Sequence, residues 1–105
     1  MNLDFWVKPE HQDEVRPQQR RAIELQSAHE EPDVLWPETA PLETLAIPTL
    51  VVVGEDDKAD FRAIAKHLVE HVPDSELAVV AGAGHLVGVD RPDELNALLR
   101  TFLSD

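Results

Sequence analysis

The chain has 105 residues, 43% of them hydrophobic, a formal net charge of −12 and no cysteine. That length and apolar content suit one domain, or part of one, with a marginal core rather than a disordered segment. The acidic balance argues against a nucleic-acid or anionic-membrane partner, both of which need clustered Lys and Arg, and the lack of cysteine excludes disulfides, a thiolate nucleophile and a cysteine metal site.

The chain opens Met1-Asn2-Leu3-Asp4-Phe5-Trp6, without the basic segment and apolar stretch of a signal peptide. No run approaches the roughly 20 apolar residues of a membrane span, and the expected location is the cytoplasm. Residues 1–43 are rich in proline and hold both tryptophans, Trp6 and Trp36. One helix is predicted here, from about Pro17 to His29, because proline suits a first helical position and Glu30-Glu31-Pro32 ends the pattern. Residues 31–43 read as an extended acidic connector. Phe5, Trp6 and Trp36 are expected to pack rather than to touch substrate.

Residues 44–105 have a clearer rhythm. Thr49-Leu50-Val51-Val52-Val53 has no polar alternation, which fits a parallel strand covered on both faces. A helix follows at about 60–71, with Phe61, Ile64, Ala65, Leu68 and Val69 on one stripe, continued by Val72. Pro73-Asp74-Ser75 is a turn, and Leu77-Ala78-Val79-Val80-Ala81 is a second buried strand. A last helix runs from about Pro92 to Leu103, with Asp93 and Glu94 beside its positive end. The fold class is therefore α/β: a β-α-β-α unit whose crossover makes the strands parallel. Two such strands do not form a stable sheet alone, and an open edge invites pairing with more of the same chain, a second copy as a homodimer, or another protein.

Ligands of parallel sheets gather at the carboxyl ends of the strands. Glu55-Asp56-Asp57 follows the first strand and Gly82-Ala83-Gly84-His85 the second, so Asp57 and His85 should meet on one rim. An Asp–His pair orients an imidazole and stabilises its protonated form, as a general base requires. Gly82 and Gly84 are placed to allow unusual backbone angles around the histidine. Glu55 and Asp56 read as solvated turn residues, and Asp60 as the cap of the following helix.

Pro48 to Asp57, then Val79-Val80-Ala81-Gly82-Ala83-Gly84-His85, Arg91-Pro92-Asp93-Glu94-Leu95 and Thr101-Phe102-Leu103, taken in order, resemble the C-terminal end of an α/β-hydrolase. The resemblance covers about residues 44–103, and the preceding 1–43 resemble the end of a helical cap. It implies Asp57 as the acid of a catalytic triad and His85, 28 residues on, as its histidine. It implies a hydrolase of an ester-like or carbon–carbon bond in a small molecule, with no cofactor. The chain departs from the family at the nucleophile: there is no Gly-x-Ser-x-Gly elbow, and the oxyanion hole built around it is missing too. Ser27, Ser75 and Ser104, the only serines, lack that setting. The expectation is an incomplete catalytic chain, inactive alone, whose rival reading is a non-catalytic association module pairing through its open strand edge.

Two other patterns carry less. Acids at a strand end can hold Mg²⁺, as in phospho-accepting receiver domains, but the second strand here ends in Ala-Gly-Ala-Gly-His. His67 and His71 have the spacing of two metal ligands on one helix face, with no Glu in the zincin position and no third ligand in view, so no metal site is assigned. His11 and His29 have no visible role.

Overall fold

The computed structural model describes residues 6–28 and 41–104. Phe5, His29, Trp36 and most of the predicted connector lie outside them.

Helix α1, Gln12–Ala28, is entered through a 3-10 turn at Pro9–His11. It starts five residues before the predicted Pro17, because Pro9 takes the first-turn position and Glu10, Asp13 and Glu14 favour the positive end of the dipole. Pro17 thus lies inside the helix, where it has no N–H to give the Asp13 carbonyl. Val15 is the one buried residue of α1, so little packing offsets that loss. Pro17→Ala is expected to stabilise the helix by up to about 3 kcal/mol, read as stronger helical circular dichroism and slower amide exchange along α1.

The rest is β1 (Thr49–Gly54), α2 (Ala59–His71), β2 (Ser75–Val80), a one-turn helix α3 (Val87–Asp90) and α4 (Pro92–Leu103). The strands are parallel, in register from Thr49 opposite Ser75 to Gly54 opposite Val80. β2 begins two residues earlier than predicted because its pairing with β1 starts there: Thr49 lies opposite Ser75, and the Thr49 N–H donates to the Asp74 carbonyl at 2.9 Å. α3 was not predicted; one turn is too short to show a periodicity.

Side chains alternate across the strands. Val80, Ala83 and Val87 form the core with Val52, Leu95 and Leu98 on the α4 side. Val51 and Val53 border a cavity of about 190 Å³ with Phe61, Ile64 and Leu68 on the α2 side. Burial on both faces holds only in part. Leu77 and Val79 of β2 are 39% and 55% exposed, and Ile64 of α2 is 53% exposed, because the sheet has two strands among the described residues and nothing there covers them. No described helix is long and apolar enough to cross a membrane.

Residues 6–11 dock on the segment after β2. Val7 is fully buried, and the Leu86 N–H donates to the Trp6 carbonyl at 2.7 Å.

Candidate active site

The turn leaving β1 and the loop leaving β2 are stitched together by backbone. Glu55 N–H donates to the Val80 carbonyl and Asp56 N–H to the Ala83 carbonyl, both at 2.9 Å. Gly54 permits this contact: a Cβ there would lie 2.1 Å from the Gly84 carbonyl oxygen. Of the two glycines expected to adopt unusual angles, Gly82 does so, with φ of 73°. Gly84 does not; it is buried, and its N–H donates to Asp90 at 2.8 Å.

This stitching brings the two predicted side chains into contact. His85 Nδ1 lies 2.8 Å from Asp57 Oδ2, with the Asp57 side chain 4% exposed and that of His85 28%. Asp57 Oδ1 accepts the Lys58 N–H at 2.7 Å. A carboxylate oxygen accepts, so the bond puts the imidazole proton on Nδ1 and the lone pair on Nε2. Burial in a low-dielectric setting strengthens that orientation. Neither Asp57 nor Asp60 caps α2: its N-cap position is Lys58, with no side-chain capping bond.

Two aromatic rings hold the imidazole. Trp6 meets it edge-on with centroids 4.6 Å apart, and Phe61 meets it tilted at 4.4 Å. Trp6 does pack, as expected, and what it packs on is the candidate base. Asp56 is exposed, as read, but is ion-paired with Lys8, and that hydrogen bond raises the Lys8 pKa.

Asp90 is the residue that the sequence did not reveal. It is 2% exposed and accepts three hydrogen bonds: from Gly84 N–H at 2.8 Å, from Lys8 N–H at 2.9 Å and from His11 Nδ1 at 2.8 Å. His11, given no role above, is therefore part of the structure that carries His85. Burial alone would raise the Asp90 pKa; the bonds from Gly84, His11 and Lys8 outweigh it and hold the carboxyl below its ordinary 3.8.

The serines do not join this rim. Ser27 is exposed on α1. Ser75 opens β2 and bonds the Val72 carbonyl at 2.7 Å, roughly 20 Å of strand from the His85 end. Ser104 bonds the Thr101 carbonyl at 3.0 Å, beyond α4. On α2, His71 Nδ1 bonds the His67 carbonyl at 2.8 Å and the two rings meet tilted, with centroids 4.0 Å apart. No group of three His, Asp or Glu among the described residues is arranged to hold a metal.

No protein-family model matches the chain. It is 39% identical over 67 residues to the polyketide synthase ThaQ of Burkholderia thailandensis, covering 64% of this chain and 3% of that one. It is 32% identical over 63 residues to a 2-hydroxy-6-oxononadienedioate/2-hydroxy-6-oxononatrienedioate hydrolase of a Pseudomonas species, covering 60% of this chain and 22% of the hydrolase. The solved structure of MenH from S. aureus superposes with a TM-score of 0.57 at 32% identity, over 59% of this chain and 23% of that one. The chain thus spans under a quarter of the length of each of these relatives. Over about 60% of its length the chain is similar to members of the α/β-hydrolase superfamily, and its β-α-β-α unit shares the mixed α/β fold of the matched part of MenH.

Proposed function

We propose that this chain supplies the acid–base half of a hydrolase acting on an ester-like or carbon–carbon bond of a small molecule. The observation that carries the reading is the 2.8 Å contact of His85 Nδ1 with the buried Asp57 carboxylate at the carboxyl rim of parallel strands. The nucleophile is a serine hydroxyl outside these 105 residues. His85 Nε2 takes its proton as the oxygen attacks the substrate carbonyl, and Asp57 stabilises the imidazolium. The same proton then passes to the leaving group, and a water deprotonated by His85 cleaves the acyl intermediate. The Pseudomonas relative, a hydrolase of a small dioate by its name, supports the substrate class.

By this reading the chain alone does not turn over a short-chain nitrophenyl ester above the buffer rate, and turnover removed by His85→Ala would overturn that. A positive test exchanges the matching segment of the Pseudomonas hydrolase for residues 44–104. The chimera is expected to hydrolyse its substrate and to lose about 10³-fold or more of kcat with His85→Ala. A folded chimera indifferent to that change would overturn the assignment of the base.

One observation favours a second reading, association through the sheet: the exposed Leu77 and Val79 beside open strand edges. It expects dimers in light scattering, and a monomer at high concentration counts against it.

A further inference from the structure

We propose that Asp90 is a positioning residue for His85, its carboxylate clamping residues 6–11 onto the loop that presents the imidazole. The inference rests on the reading of His85 as general base and names the device that aims it. The Asp90 side chain has no solvent exposure, and each of its oxygens serves a different segment. Oδ2 takes the N–H of Gly84, the residue immediately before His85. Oδ1 takes the Lys8 N–H and His11 Nδ1 from the N-terminal segment. That segment in turn holds the residue immediately after His85, since the Trp6 carbonyl accepts the Leu86 N–H. His85 therefore hangs between two fixed amides, one bonded to Asp90 and the other to the strap that Asp90 retains. The Trp6 ring, carried by the same strap, stands against the imidazole.

A fully desolvated carboxylate is costly unless its lone pairs are met, and three donors meet them here. Such a group is ill suited to a surface role and well suited to fixing a loop. The bond from His85 to Asp57 tolerates little displacement, and a misplacement of about 1 Å in a catalytic group can cost about 10²-fold in rate.

The experiment is nuclear magnetic resonance of the His85 ring in the full 105-residue chain. The wild type is expected to show a hydrogen-bonded Nδ1–H signal that Asp57→Asn moves. Asp90→Asn keeps the shape but offers one acceptor oxygen, and its amide confronts an N–H on the other side. It is expected to shift or broaden the His85 Nδ1–H signal and to move the ring's titration midpoint by at least about half a pH unit. Val72→Ala, a buried truncation at the far end of α2, is the control for lost stability and should leave both unchanged. If Asp90→Asn fails to fold, His11→Ala decides: it removes one donor from the clamp and is expected to move the His85 signal in the same direction by less. A His85 signal and midpoint unaltered in the folded Asp90→Asn chain, or in His11→Ala where that variant decides, overturns the proposal. Absence of any Asp57-dependent Nδ1–H signal in the wild type would instead overturn the base reading.

Discussion

Gly54→Ala is expected to cost about 3 kcal/mol or more, the upper end for overpacking, and to separate the two candidate site residues. The added methyl would lie 2.1 Å from the Gly84 carbonyl oxygen, 2.4 Å from that of Ala83 and 2.8 Å from the Ala83 carbonyl carbon. All three are backbone atoms, so no rotamer change relieves the clash. Moving the 83–84 loop aside breaks the bond from Asp56 N–H to Ala83 and carries His85 away from Asp57. The other two glycines with close neighbours give a ranking. At Gly82 the nearest group is the Arg91 guanidinium, a flexible tip, but the positive φ strains any side chain, at a cost of about 1–2 kcal/mol. At Gly88 only a Leu95 methyl stands close, at 3.3 Å, and alanine there is expected to be nearly neutral. Urea unfolding of the three variants should give losses in the order Gly54, Gly82, Gly88; an equal loss at all three would refute the backbone-clash account.

Asp90→Ala is the second large effect. It strips the acceptor from Gly84 N–H, Lys8 N–H and His11 at once. Removing one partner of a buried charged network costs about 3–5 kcal/mol, against a total of about 5–15 kcal/mol for a typical domain. The variant should melt far below the wild type. The dependence on acidity follows from the depressed Asp90 pKa. A carboxyl whose folded pKa is lowered contributes stability that is fully present above its unfolded value, about 3.8, and is lost as pH falls through the folded value. The gap in urea midpoint between wild type and Asp90→Ala should therefore be wide at pH 7 and shrink below the ordinary carboxyl range. A gap as wide in strong acid as at neutral pH would show that the carboxylate charge is not what holds the strap.

The strands, the last two long helices and the pairing of Asp57 with His85 were legible in the sequence. Each depends on a local signal: an unbroken apolar run, a 3.6-residue stripe, or a position just past a strand. Parallel neighbours then bring two such positions to one rim by geometry alone. The clamp on His85 was not legible. Asp90 is one of 21 acidic residues and follows no strand, while His11 stands 79 positions from it. Burial of a carboxylate among donors from both ends of a chain leaves no periodic trace.

The β-α-β-α order, the parallel direction and the candidate acid–base pair were thus determined by the sequence itself, through hydrophobic spacing and turn chemistry acting over a few residues at a time. Only the tertiary structure decided that Trp6, Lys8 and His11 belong to the His85 loop, that Gly54 is the contact point of two backbones, and that Leu77 and Val79 stay exposed. Those outcomes depend on which distant segments come within hydrogen-bonding or van der Waals range, a property of the folded chain as a whole.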